Sequence, residues 1–454
     1  MTAAAQQEAK SEPVADGSAW WLLTVLLLLS ILSSVHRFLP AILVEPIKGD
    51  LGLSDVEMSM ILGPAFSVFY CLFAYPLGWA ADHFDRRRVI FIGTFFWTIA
   101  TVMSGFANSF SSLFLARAVV AIGETALIPA AFSLIADRFP AKRLNTALAI
   151  NSMGPKLGTS LAFFVGAVAL TLASTHSLSL SFAGDFAPWQ MTFVLVGLPG
   201  IFICVLLFTF PEPPRHQERV DADDKSEFRD FLRKERAILI PLLLGFGAIA
   251  ISSGALLNWV PTYMDRHFGW EPVHIGSALG IINMLGALML LPKGIAVDWL
   301  TARAVQAASL RFYIWLLAVF TPVAVVAFML ADPIWFLILY GLAAVVAIPY
   351  ILYISAAIQM FTPSHFRGRV LSIFLIVVML VQGGGPIFVA VITDYVLQDP
   401  SRIGVSLAIS VGISMGGSYI FLRAALAPLL KRISLTATDG SGEVPALQLA
   451  SVKN

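Results

Sequence analysis

Charge is scarce in this chain. Asp, Glu, Lys and Arg make up 13% of its 454 residues, against roughly 25% in soluble domains. A surface that poor in charge excludes an ordinary soluble domain. The formal net charge is only +1, which excludes a nucleic-acid-binding surface. There are two cysteines, Cys71 and Cys204, both inside apolar runs, so no disulfide framework is implied. No phosphate-cradling glycine loop, metal-ligand spacing or nucleophile with a paired base occurs, so neither enzyme chemistry nor a metal or other cofactor is expected. What is abundant is apolar surface: 58% of residues, with a mean hydropathy of +0.83. The chain reads as an all-α integral membrane protein.

A bilayer-crossing helix needs about 20 mostly apolar residues. Twelve stretches qualify, near 20–44, 57–81, 88–107, 110–136, 144–172, 188–210, 237–264, 273–297, 311–330, 333–360, 370–397 and 402–427. The polar interval 211–236 divides them into an N-terminal bundle at 19–210 and a C-terminal bundle at 237–430. Residues 1–18 and 431–454 read as disordered tails, the first lacking the basic start and cleavage site of a signal peptide. One set of loops holds Arg86 to Arg88, Arg138, Lys142, Arg143, Arg303, Arg311, Arg367, Arg369, Lys431 and Arg432. The other holds Lys48, Arg266 and Arg402 among Glu45, Asp50, Asp55, Asp185, Asp265 and Asp399. The basic set belongs in the cytoplasm, with both termini.

The most telling motif is Gly78-Trp-Ala-Ala-Asp82-His-Phe-Asp-Arg86-Arg87-Arg88, a charged turn between two apolar segments. A weaker copy runs from Gly294 through Asp298 to Arg303. Glycine would let helix ends approach closely. Asp137-Arg-Phe-Pro140-Ala-Lys-Arg143 is mirrored by Gln359 to Arg369, and Gly154-Pro155 by Gly385-Pro386. The halves therefore repeat. The turn resembles the loop 2–3 signature of the major facilitator superfamily, and the copy its loop 8–9 partner. That resemblance implies two pseudo-symmetric six-helix bundles around a central cavity. It also implies a cytoplasmic charge network of Gly78, Asp82, Arg86, Asp137 and Arg143, with Asp298 and Arg303 serving the second half.

Charged residues at bilayer depth are costly, so each needs a partner or a function. His36 and Arg37 precede Pro40 in helix 1. Arg117 and Glu124 are seven residues apart in helix 4, about 700° of rotation and so one face. Lys156 follows Gly154-Pro155 in helix 5. The second half lacks intramembrane charge of this kind on this reading, offering Asn258, Trp259, Tyr263, Tyr353 and Gln382 instead. Glu124 is the expected proton carrier, with His36 a second titrating group. Arg37 is the expected anchor for an anionic substrate. Arg117 and Lys156 would add to an electropositive cavity, and the polar and aromatic residues of the second half would complete the substrate site.

Ser34-Val-His36-Arg37-Phe, Gly123-Glu124-Thr-Ala and Trp259-Val-Pro-Thr-Tyr263 resemble the spinster-type branch of that superfamily, with His36 where the branch usually has Asp. This resemblance implies a proton-coupled secondary transporter of an anionic amphiphile, such as a lysophospholipid or sphingolipid, working by alternating access. A symporter of small organic anions such as sugar acids fits the same Arg and Glu positions. A receptor that keeps the fold without transporting is the remaining alternative. A multi-pass monomer in the membrane is expected, in the inner membrane if the chain is bacterial, with membrane lipid around it and no nucleic-acid partner.

Overall fold

The computed structural model describes residues 16–175, 179–180, 184–214, 225–347 and 349–438. Most of the two expected tails, and residues 215–224 of the expected linker, lie outside the described residues. Among the described residues, eleven helical segments are long and apolar enough to cross a membrane. A twelfth rod, Arg86–Ser104, opens with three arginines. In order they are α1 (Gly17–Ile42), α2 (Asp55–His83), α3 (Arg86–Ser104), α4 (Phe110–Arg138), α5 (Lys142–Thr175), α6 (Pro188–Thr209), α7 (Arg236–Phe268), α8 (Pro272–Ala302), α9 (Ala308–Ala327), α10 (Pro333–Gln359), α11 (Arg367–Leu397) and α12 (Pro400–Ser434). Short insertions interrupt this plan, including a helix at Val44–Leu51 and a two-stranded ladder pairing Ser179–Leu180 with Gly184–Asp185.

Two boundaries differ from the sequence expectation. The last helix continues to Thr438, because Arg432 pairs with the buried Glu235 at 2.9 Å and ties that stretch to the start of α7. The interval 211–236 contains a helix, Lys225–Lys234. Its Phe228 and Phe231 lie 5.2 and 5.4 Å from the Phe366 ring of the second half. Phe228, Phe231 and Leu232 follow helical spacing, a signal that the many surrounding charges obscured.

Prolines punctuate the helices at Pro76, Pro155, Pro241, Pro261, Pro322, Pro386 and Pro428. Neighbouring helices and polar side chains can re-satisfy the backbone groups that such prolines free. The two bundles meet through glycine. A Cβ on Gly63 would sit 1.9 Å from the Gly383 carbonyl oxygen, so α2 and α11 touch backbone to backbone. A Cβ on Gly276 of α8 would sit 2.4 Å from the Phe163 carbonyl of α5. Small residues are what permit such approach between membrane helices.

Among the described residues, the ion pairs between the two bundles gather at one end. At the end away from the three arginines, Arg266 of α7 reaches into the first half. It donates to Glu45 at 2.7 Å and to both oxygens of Asp55 at 2.8 Å. Lys48 also pairs with Asp55, and the Val56 amide donates to Asp394 of α11 at 3.0 Å. Leu43, Ile47 and Met58 share one buried core with Val260 and Ile275 there. At the basic end the first half keeps a core of its own, built on Leu26, Val120, Leu134 and Leu207. The α5 face that buries Phe163 and Ala167 against α8 continues, toward the basic end, into the exposed Met153. Leu291 of α8 is likewise exposed. This arrangement is closed at the acidic end and parted at the basic end.

Removing one partner of a buried ion pair costs about 3–5 kcal/mol. Arg266→Ala should therefore shift the chain toward opening at the acidic end. A Thr262→Cys reporter, buried in the cleft between Glu45 and Asp265, should then label faster from that side, in a chain freed of Cys71 and Cys204. Unchanged labelling would remove the latch.

Candidate functional site

Near mid-membrane the first half assembles a compact charge cluster. Ser33 and Arg37 lie one turn apart on α1, so both reach Glu124 of α4. The Arg37 guanidinium donates to Glu124 Oε2 from Nη2 at 2.8 Å and from Nε at 3.2 Å. The Ser33 hydroxyl donates to the same oxygen at 2.8 Å. The other carboxylate oxygen, Oε1, is buried and has no hydrogen-bond partner among the described residues. Glu124 is fully buried, whereas the Arg37 side chain is 25% exposed. Phe66 and Tyr70, one turn apart on α2, place their rings 4.1 and 5.6 Å from the guanidinium carbon, a cation–π contact that suits a desolvated arginine.

Arg37 is also the floor of a cleft between the bundles. Phe38, Leu62, Phe66 and Met379 line it with apolar surface, and Asn258 and Gln382 bring polar groups from the second half. Gln382 bonds Ser253 at 3.5 Å and Asn258 bonds its own helix at the Gly254 carbonyl. Arg37, Asn258 and Gln382 thus line one cleft.

Other expected members lie elsewhere. Arg117 donates to the carbonyls of His36 and Arg37 at 2.9 and 2.8 Å. The reason lies in α1 itself. Pro40 has no N–H, so the His36 carbonyl four residues earlier loses its helical donor. Arg117 supplies the replacement, and its guanidinium is occupied with backbone rather than open to the cleft. His36 is fully buried and its Nε2 meets the Val196 carbonyl of α6 at 3.1 Å, away from Glu124. Trp259 donates to the Pro386 carbonyl at 3.0 Å. Tyr263 packs among Phe268, Phe328 and Phe336, and Tyr353 stacks on Tyr313 at 4.4 Å. These three belong to the core of the second bundle.

The second half does carry a charge at bilayer depth, contrary to the sequence reading. Lys293 of α8 is 4% exposed and donates to the Val345 carbonyl of α10 at 2.7 Å. The apolar run Leu290-Leu-Pro-Lys293-Gly shows it by the same rule that singled out Lys156. Lys156 lies on α5, partly buried.

The basic-end network forms in part. Arg86 is 1% exposed and pairs with Asp137, with Ser133 at 2.8 Å and with Glu212 at 2.7 Å. It also donates to the Pro213 carbonyl at 2.8 Å, tying α3 and α4 to the start of the linker. Glu212, unassigned from sequence, is therefore a full member. Asp85 caps α3 through the Arg88 amide at 3.1 Å. Burial works against its charge, yet the Arg88 amide and the Arg87 guanidinium prevail and hold this carboxyl below its usual range. Asp82 and Arg143 are exposed at the ends of α2 and α5. The second-half copy does not pair: Arg303 lies over the Trp299 ring at 3.6 Å, one turn away, and Asp298 is exposed. A Cβ on Gly78 or Gly294 would meet nothing within 4 Å. Close approach at these glycines is absent because the helix ends are parted at this side.

Comparison with known proteins follows the same architecture. The family model described as Major Facilitator Superfamily matches residues 23–386. An MFS-type efflux pump of Mycolicibacterium smegmatis is 26% identical over 394 residues, covering 84% of this chain and 86% of that protein. Protein spinster homolog 1 of Xenopus tropicalis is 27% identical over 252 residues, 54% of this chain but only 45% of its own length. The probable galactarate/D-glucarate transporter GudP of Bacillus subtilis is 24% identical over 314 residues, 61% of this chain and 66% of that protein. Among solved structures, a bacterial homolog to the human lysosomal transporter spinster superposes with a TM-score of 0.75 at 24% identity, covering 94% of this chain and 99% of that one.

If Arg117 stands in for the missing Pro40 amide, the two positions are energetically coupled. Arg117→Met leaves the His36 carbonyl without a donor, at about 1–3 kcal/mol. Pro40→Ala returns an N–H to the His36 carbonyl. In thermal unfolding the double variant should lose clearly less stability than the two single losses combined. Simple additivity would refute the replacement.

Proposed function

The chain belongs to the Major Facilitator Superfamily and is a membrane transporter; from that premise we propose that it couples protons to the movement of an anionic amphiphile. The observation that carries this is the Arg37–Glu124 pair, buried on the glutamate side and open to an inter-bundle cleft on the arginine side. Glu124 Oε2 takes three hydrogen bonds while Oε1 has none. Oε1 is the natural seat for a proton. With Glu124 ionised, its charge cancels that of Arg37. With a proton on Oε1 the carboxyl is neutral, and the Arg37 charge is left for an anion. Proton and anion then favour each other's binding, and linkage makes the effect reciprocal.

The amphiphile reading rests on the cleft's lining. Phe38, Leu62, Phe66 and Met379 offer apolar surface beside one guanidinium, which suits an anionic head group with a hydrocarbon tail. Transport of a small organic anion is the second reading. Asn258 and Gln382 supply hydrogen-bonding groups in the same cleft, and relatives such as the probable galactarate/D-glucarate transporter favour it. In either case alternating access exchanges the latch at Arg266 for contact at the basic end.

Proteoliposomes test both. A lysophospholipid should evoke proton movement, and Glu124→Gln should abolish it. The same variant mimics the protonated carboxyl, so its ligand affinity should lose its pH dependence and stay at the wild type's low-pH value. Flux with galactarate alone would transfer the protein to the small-anion reading. A Glu124→Gln variant that still moves protons would end the role given to Glu124.

A further inference from the structure

The lysines of α5 and α8 are not used by the pair at Glu124. Lys156 lies one turn from Ser160 and about two from Phe163. These are the α5 residues that meet Gly280 and Gly276 of α8: Ser160 donates to the Gly280 carbonyl at 2.6 Å, and Phe163 abuts Gly276. Lys156 therefore sits where the contact between the bundles ends and the cytoplasmic cleft begins. The two helices run antiparallel. Helical side chains lean toward their own N-terminus, so Lys156 leans toward the basic end and Lys293 away from it. Their side chains therefore lean toward one another along the helix axes, and Lys156 enters the surroundings of Lys293 as a like charge. Lys293 spends one of its three donors on Val345. Lys156 makes no hydrogen bond or ion pair among the described residues. The acid nearest Lys293 along α8, Asp298, lies more than a turn away and is exposed. Two like charges at this depth, with no acid between them, are an arrangement that a bound anion would complete.

We propose that Lys156 and Lys293, one from each bundle, form a second anion subsite that takes the phosphate of a phosphate monoester. A phosphate monoester brings up to two negative charges and three acceptor oxygens, which matches two ammonium groups with unused donors. Bound there it bridges the halves, because one arm belongs to α5 and the other to α8. The bridge relieves the repulsion that closing the basic end would otherwise increase. This assignment rests on the transporter reading, and extends it from one charged contact at Arg37 to two.

The test uses the purified full chain in phosphatidylcholine nanodiscs, with three probes: lysophosphatidic acid, lysophosphatidylcholine and inorganic phosphate. Hydrogen bonds between charged groups are strong enough that losing one should weaken binding by about tenfold or more. Lys156→Gln should show that loss for lysophosphatidic acid and none for lysophosphatidylcholine, while Lys156→Arg keeps most of the affinity. Lys156 has no bonded neighbour to lose, so this variant should fold. Lys293→Gln should show the same selectivity, with a smaller general effect from the freed Val345 carbonyl. Lysine-dependent binding of inorganic phosphate as tight as that of the lipid would keep the subsite and assign it to free phosphate. Equal loss for both lipids, or unchanged binding in Lys156→Gln, would overturn the proposal. So would a wild type that does not distinguish the lipids. Proton flux is measured separately. Flux that depends on Glu124 but not on Lys156 leaves the transporter reading standing and removes the subsite. Lysine-dependent binding without flux does the reverse.

Discussion

A charge carried into the interior of a helix bundle must be answered there, because water is not available to answer it. This chain meets that constraint in three different ways, and the differences organise the molecule. Arg117 is answered by two backbone carbonyls, one of which a proline has orphaned. Arg86 is answered by Asp137 and Glu212. Both answers lie within the first bundle and the start of the linker, so they can persist whatever the two bundles do. Arg266 is answered by Glu45 and Asp55 from the other bundle. That answer exists only while the acidic end is shut. Permanent pairs thus build each bundle, and a conditional one holds the conformation.

Much of this was legible in the residues. The apolar runs, the polar interval and the distribution of arginines set out the helices and the basic end. The seven-residue spacing of Arg117 and Glu124 put both on one face of α4, and the structure turns that face toward α1. Arg117's partner was in principle readable too, since Pro40 marks His36 as the carbonyl without a donor. What the sequence concealed depends on tertiary neighbours. Asp298 and Arg303 look like a copy of a gating pair, but Trp299 offers the arginine a ring one turn away. Tyr263 and Tyr353 look like cavity residues, yet each completes an aromatic cluster inside its bundle. The latch could not be paired from sequence, because Glu45 and Arg266 are ordinary loop charges until the bundles come together.

The position of Arg37 gives the site its reach. It ends the regular part of α1, and the chain continues through Leu39–Ile42 into the short helix that carries Glu45 and Lys48. One continuous stretch therefore holds the arginine that pairs with Glu124 and half of the latch. Arg117 fixes that stretch to α4 at residues 36 and 37, next to the side chain that reads Glu124. A change in the charge of Glu124 acts on Arg37, and Arg37 lies two turns from Glu45. On the proposed reading, proton occupancy of Glu124 and closure of the acidic end act on the same segment of backbone.

On the proposed reading, the cytoplasmic side follows a complementary logic. The latch is a pairing of opposite charges that favours the present arrangement. Lys156 and Lys293 are a pairing of like charges, one on each bundle, at the mouth of the open side. Like charges disfavour closure there until an anion lies between them. An empty carrier would then be held from both ends, by attraction at Arg266 and by repulsion at the lysines. A bound anion removes the second restraint, while a proton on Glu124 leaves the Arg37 charge to an anionic group in its own cleft. Transport with cargo is favoured over slippage without it, because closing the basic end empty would bring two uncompensated ammonium groups together.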